Sequence, residues 1–213
     1  MYETRWFFQG DLPKVATVWL QALKGIPLAE DTRPEVYLKW GEPIGLKISR
    51  GNLELKHRPT PGEPFTLAGG SSGSIETWTK TEWQYRPKDQ SGPDPVFEQF
   101  AKPALAGTRF RTQKDRILVK FDATQDQLVA IKSKDKAAKV FLVELVSLTV
   151  ADHGNWWSLQ FEFVGDERTG KDALKKRVEW ALAQGWPRDL PLRQADSMGY
   201  AGFFERLAKP AQQ

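Results

Sequence analysis

The chain has 213 residues, enough for one domain with a substantial core, and its 40% hydrophobic and 27% charged residues are ordinary for a soluble globular protein. It contains no cysteine and two histidines, His57 and His153, which excludes disulfides, thiol catalysis, thiolate metal centres and a multi-histidine zinc site within one chain. A net charge of +4 favours anionic partners, no apolar run approaches a membrane span, and the opening MYETRWFFQG lacks a basic-then-apolar leader, so the expected location is the cytoplasm.

Nine tryptophans suit a fold with broad sheet faces. Tyr2–Gln9 reads as a first strand, with Tyr2, Trp6 and Phe8 alternating against Glu3 and Arg5. Asp11 can cap a following helix, whose Val15, Val18, Trp19, Ala22 and Leu23 recur at helical spacing as a core stripe. Val36–Trp40 is the second expected strand. The stretch GLKISRGNLELKHR, Gly45–Arg58, supplies the next two as a hairpin turning at Gly51-Asn52. That turn sets Ile48 opposite Leu55, Ser49 opposite Glu54 and Lys47 opposite Lys56, giving one aliphatic and one ionic face. An ionic face of this kind fits either a solvated sheet surface or the lumen of a charged barrel.

Pro59–Ser74 is rich in Pro, Gly and Ser and reads as a loop; its LAGGSSGS run lacks the spacing and the Lys-Ser/Thr of a phosphate-binding P-loop. Ile75–Tyr85 alternates as a strand, Pro87–Pro95 is a loop, and Asp94-Pro95 opens a short helix carrying Val96, Phe97 and Phe100. Thr108–Asp122 reads as a second hairpin turning near Lys114-Asp115, with Arg109 and Arg111 on one face with Leu118 and Lys120. Thr124-x-x-Gln127 matches a capping box and predicts a short helix. KSKDKAAK, Lys132–Lys139, is basic without interleaved aromatics, so nucleic acid is not the expected partner.

Phe141–Val150 and Trp156–Val164 form a third hairpin about Asp152–Asn155. Trp157, Leu159, Phe161 and Phe163 make one face of it apolar, and Ser158, Gln160 and Glu162 occupy the other. Alternation puts Glu144 with Val146 and Leu148, on an apolar side unless a bulge reverses it. Thr169 caps a helix running to about Gln184, with Leu174, Val178 and Leu182 inward and Gly185 as its stop. Ser197 caps a last helix with Tyr200, Phe203, Phe204 and Leu207 on one stripe. Residues 1–213 read as one domain.

This order of ionic strands and a Ser…Tyr-x-x-Phe terminal helix resembles the CYTH, or triphosphate tunnel metalloenzyme, superfamily over most of its length. The pieces that carry the resemblance are Glu3-x-Arg5, GLKISRGNLELKHR, Arg109-x-Arg111, NWWSLQFEF and SMGYAGFF. It implies a β-rich α+β fold: a closed or nearly closed antiparallel barrel of roughly eight strands with peripheral helices, whose basic residues hold a triphosphate and whose glutamates hold a divalent metal. Carried over residue by residue, Arg5, Lys47, Lys56, Arg58, Arg109, Arg111 and Lys120 would bind phosphate. Glu3, Glu54 and Glu162 would bind magnesium or manganese. Two positions depart from the family. Met1 stands where the first Glu of Glu-x-Glu-x-Lys belongs, and Gln160-x-Glu162 replaces a late Glu-x-Glu.

Three functions follow. The first is metal-dependent hydrolysis of a triphosphate or polyphosphate. The second is binding of such an anion or nucleotide without turnover, and the third is a protein-interaction barrel held by internal salt bridges. The expected partner for the first two is an anionic phosphate-containing small molecule, and no oligomeric state is implied.

Overall fold

The computed structural model describes residues 1–23, 31–86, 92–101, 108–132, 135–165 and 169–209. The first half of the chain forms β1 (Tyr2–Gln9), α1 (Lys14–Ala22), β2 (Asp31–Lys39), β3 (Ile44–Ser49), β4 (Asn52–His57), β5 (Glu63–Thr66), β6 (Ser72–Thr77) and β7 (Thr79–Gln84). The second half forms α2 (Pro95–Ala101), β8 (Arg109–Asp122), β9 (Val129–Ala130), β10 (Val140–Val150), β11 (Gly154–Val164), α3 (Gly170–Ala183) and α4 (Tyr200–Ala208). No described helix is long and apolar enough to cross a membrane.

The strands make one strongly curled antiparallel sheet in the order β5-β6-β1-β11-β10-β8-β2-β3-β4-β7, with β9 appended to β8. The expected closed barrel is corrected: among the described residues the hydrogen-bonded path ends at β5 and β7, and the half-barrel is open. A single residue, Trp78, separates β6 from β7, so one run of chain pairs first with β1 and then with β4. Buried Trp78 is where the expected single strand Ile75–Tyr85 breaks.

Alternation gives the sheet two faces. The outer face carries Tyr2, Trp6, Val143, Leu145, Leu159, Phe161 and Phe163, and α1 and α3 cover it with Trp19, Leu20, Leu174 and Val178. The stripe on α1 is rotated from expectation: Ala16, Trp19, Leu20 and Leu23 are buried, whereas Val15 and Val18 are exposed. The inner face is apolar at one end, where Phe203 and Phe204 of α4 pack on Phe7, Tyr37, Phe110, Val146 and Leu148. Beyond α4 the same face turns ionic.

Three register expectations change. The β3–β4 turn falls on Arg50 and Gly51, at φ +50° and +72°, so Lys47 pairs with Glu54, Ile48 with Leu53 and Gly45 with Lys56. Both central residues in the left-handed region make the tightest hairpin connection, two residues shorter in register than a turn at Gly51-Asn52. A two-residue shift preserves the face of every side chain, but it removes the Lys47–Lys56 opposition. Secondly, Thr108–Asp122 contains no turn. β8 is one strand paired along Thr112–Asp122 with β10 and along Arg109–Arg116 with β2. Asp115, where the turn was expected, instead accepts a bond from Thr32 Oγ1 at 2.6 Å. Without that turn Arg109 and Arg111 have opposite parity to Leu118 and Lys120 and lie on the other face. Thirdly, β2 begins at Asp31, with Pro34 inside it. Proline is tolerated there because the Lys39 N–H goes to the Thr108 carbonyl on the β8 side, so alternation turns the Pro34 nitrogen toward β3, which pairs only with Val36–Lys39.

Smaller differences concern loops and caps. Pro59–Ser74 contains β5 and the start of β6. The stretch after Asp122 bends into β9 with no helix at Thr124–Gln127. Gly199 is the N-cap of α4, while Ser197 Oγ accepts the Ser74 N–H at 2.8 Å. α1 begins after Pro13, with no side-chain cap from Asp11. α2 is as expected, with Asp94 Oδ1 accepting the Phe97 N–H at 3.0 Å. The β10–β11 hairpin pairs in continuous register from Val140–Val164 to Val150–Gly154, with no bulge. Part of the expected loop, 87–91, and residues 133–134 of the basic patch lie outside the described residues.

Candidate functional site

The ionic part of the inner face lines a cavity of about 210 Å³ at the end of α4. It is built by strand alternation: Glu3 and Arg5 from β1, Lys47 from β3, Glu54 and Lys56 from β4, and Gln160 and Glu162 from β11. Six of the residues proposed from sequence therefore converge: Glu3, Arg5, Lys47, Glu54, Lys56 and Glu162. Arg33, Lys80, Lys114, Arg116 and Glu144 join them, so seven cationic side chains line the cavity against four carboxylates.

Four proposed residues lie elsewhere. Arg58 sits behind the wall, paired with Glu76 and Glu42 and facing Trp78 at 5.6 Å. Arg109 is on the outer face over Phe100, and Arg111 is exposed on that face, both displaced by the parity change in β8. Lys120 donates to the Asp135 carbonyl at 2.6 Å, beyond the cavity.

Five of the seven cations gather round two carboxylates. Glu35 is fully buried beneath the cavity and meets Arg33 Nε at 2.9 Å, Lys47 Nζ at 3.2 Å and Lys114 Nζ at 2.7 Å, while Tyr37 donates its hydroxyl at 2.7 Å. Burial by itself would raise the Glu35 carboxyl; Lys114, Lys47 and Arg33 hold it well below the usual range. Glu144 meets Arg5 at 3.1 Å and Arg116 at 2.8 Å. Its carboxyl, opposed by burial, is drawn down to about 2 by Arg116, Arg5 and Lys114. Arg5 also donates to Ser158 at 2.8 Å and to Gln160, and its guanidinium lies 4.5 Å from the Tyr200 ring.

Each lining cation meets a carboxylate once those bordering the cavity are included: Asp31 meets Arg33 and Arg116, and Glu82 meets Lys80, beside the pairs to Glu35, Glu144, Glu54 and Glu3. Burial pulls the Lys114 ammonium down to about 8, aided by Arg5 and opposed by Glu35. Its Nζ sits 3.6 Å from the centre of the Tyr200 ring, which supplies a further electrostatic contact. Lys47 is lowered too, by burial and by Lys114 and Arg33, despite Glu35 and Glu54.

The opposite wall is an acidic row. β1 pairs Glu3 with Glu162 on one side and with Glu76 on the other, setting three glutamates across adjacent strands. Like charges directly opposite are unfavourable. Burial and Glu3 push both Glu162 and Glu76 upward, against Lys56 and Arg58 respectively. Each carboxylate is already engaged: Glu3 accepts from Lys56 at 3.1 Å and Gln160 at 3.2 Å, and Glu162 accepts from Gln160 at 3.2 Å. Glu76 binds Arg58 and Trp78 Nε1.

That arrangement does not suit the metal set Glu3, Glu54 and Glu162. Glu54 belongs to a different group, meeting Lys47 at 3.4 Å and Lys80 at 2.7 Å. Among the described residues no three acidic or imidazole side chains are grouped as metal ligands require. Gln160, at the place where a carboxylate was expected, uses its amide to bridge Glu3, Glu162 and Arg5.

Arg33, Glu35, Tyr37, Lys80, Lys114 and Arg116 did not emerge from the sequence as site residues. A signal was present in the alternation Arg33-x-Glu35-x-Tyr37, obscured by Pro34. A second was Lys114-x-Arg116, obscured by reading a turn there.

No protein-family model and no curated protein matches the chain. Solved structures similar to it include PH1012 of Pyrococcus horikoshii OT3, at TM-score 0.47 and 12% identity over 92% of this chain and 93% of that one. Another is the conserved hypothetical protein Pfu-838710-001 of Pyrococcus furiosus, at TM-score 0.44 and 15% identity over 94% and 98%. A third is PH1819 of Pyrococcus horikoshii OT3, at TM-score 0.37 and 11% identity over 86% and 90%.

Proposed function

We propose that the cavity binds a phosphate-containing anion of small size, such as a polyphosphate or a nucleotide's phosphate chain, without a bound metal. The supporting observation is the convergence of seven cationic side chains on one cavity, Arg5, Arg33, Lys47, Lys56, Lys80, Lys114 and Arg116. An anion placed among Arg5, Lys114, Arg116 and Arg33 would take charge-assisted hydrogen bonds from their guanidinium and ammonium groups. Magnesium-dependent hydrolysis finds less support, because the carboxylates that would hold the metal are bonded to Lys56, Lys80, Lys47 and Gln160. A purely structural ion-pair network is the second reading, favoured by the carboxylate that each lining cation meets.

Tripolyphosphate tests this directly. At a hundredfold excess over its dissociation constant it should stabilise the fold by about 2.7 kcal/mol, seen as a raised melting temperature. The shift should persist with a chelator present and shrink in Arg116→Ala. No shift in the wild type would leave the salt-bridge reading ahead. Release of phosphate that requires magnesium would instead restore the hydrolase.

A further inference from the structure

Strand β7 ends the sheet path, and all six of its residues are exposed. One edge pairs with β4. The Tyr85 N–H points that way, to the Gly51 carbonyl at 2.8 Å, whereas the Trp78 N–H points the opposite way, to Met1 at 3.0 Å. Alternation along an antiparallel strand therefore turns the backbone groups of Thr79, Thr81 and Trp83 toward β4 and those of Lys80, Glu82 and Gln84 outward. Among the described residues no strand pairs with that outer edge.

We propose that this edge is a self-association surface, pairing antiparallel with β7 of a second copy about a two-fold axis at Thr81. In that register Lys80 lies opposite the second copy's Glu82, and Glu82 opposite its Lys80. Both residues present outward N–H and C=O groups, so each such pair exchanges two backbone bonds as well as opposite charges. Thr79 meets the second copy's Trp83, a β-branched residue against an aromatic one, and Trp83 is half-exposed in the single chain. Charged side chains on an edge ordinarily deter pairing. Here the Lys-x-Glu alternation is complementary to itself under a two-fold, which is the symmetry an isologous dimer uses. The contact is short beside a standard interface, so the dimer is weak and forms only at high protein concentration.

Sedimentation equilibrium of the full chain over a wide concentration range tests the pairing. The wild type should move from the mass of one chain toward that of two. Glu82→Pro removes an outward N–H without touching the β4 ladder, and Glu82→Lys sets like charges opposite each other; both should stay at the mass of one chain. A wild type that never exceeds one chain, or a Glu82→Pro variant that associates equally well, overturns the proposal. Hydrogen exchange on the unaltered protein decides the matter if a variant misfolds. The Lys80 and Glu82 amides should gain protection as concentration rises, and unchanged exchange counts against the dimer.

Discussion

Two glutamates on the inner face have opposite energetic standing. Glu35 is completely buried and neutralises Arg33, Lys47 and Lys114 together. Glu35→Gln would leave those cations without their shared counter-charge, and a loss of about 3–5 kcal/mol in a denaturant melt is expected, the range for breaking a buried ion pair. Glu162 faces Glu3 across the ladder, and burial together with that neighbour pushes its carboxyl up. Glu162→Gln removes the repulsion and keeps a group able to bond Gln160, so its melting temperature at pH 7 should rise above that of the wild type. A large fall for Glu162→Gln would mean that the Lys56 attraction outweighs the acidic row. Sequence alternation placed both Glu3 and Glu162 on the ionic face, but the adjacency of strands that sets them side by side comes from chain segments far apart.

At the scale of the element, the β3–β4 hairpin fixes where Lys47, Glu54 and Lys56 stand. Its turn needs the left-handed conformation at Gly51, where an added Cβ would come within 2.6 Å of the Arg86 carbonyl oxygen. Gly51→Ala should therefore cost more than about 1 kcal/mol in a thermal or denaturant melt, through both strain and the close approach of Arg86. An unchanged melt would show that this turn does not hold the register. The hairpin was legible from Gly45–Arg58 as two strands with an ionic face; its exact pairing was not, because Arg50-Gly51 and Gly51-Asn52 both offer turn chemistry. β8 was less legible. Its polar centre, Gln113-Lys114-Asp115, reads as a turn in isolation, yet pairing with β2 and β10 on both sides keeps it extended.

The half-barrel as a whole concentrates charge in one place, and its pH response should follow from Lys114. This lysine is faced by Glu35 and Tyr37 from β2, Arg5 from β1, Glu144 from β10 and Tyr200 from α4. Its ammonium titrates at about 8 in the folded protein against an ordinary 10.5. Between those values the unfolded chain binds the extra proton, so this group makes stability rise with pH there, while below about pH 8 its charge is carried at a cost. Anion affinity should run the other way, because deprotonation removes a cation from the site. Titrating tripolyphosphate from pH 7 to pH 10 should show affinity falling above about pH 8, and Lys114→Met should flatten that dependence. An equal decline in Lys114→Met would assign it to another group.

The sequence by itself determined the β-rich character, the first strand, the last hairpin, the α3 and α4 stripes and the ionic face of β3–β4. Each of these is a local period of two or of 3.6 that burial on one face imposes on the chain. Tertiary structure decided the rest. Pairing of β1 with β11 and β6 lined up Glu76, Glu3 and Glu162; the unbroken β8 brought Lys114 and Arg116 to the cavity and carried Arg109 and Arg111 away from it. It also left the sheet open, with β5 and β7 as its ends. Register and strand order depend on contacts between residues distant in sequence, and alternation within a single strand, which records only its two faces, does not contain them.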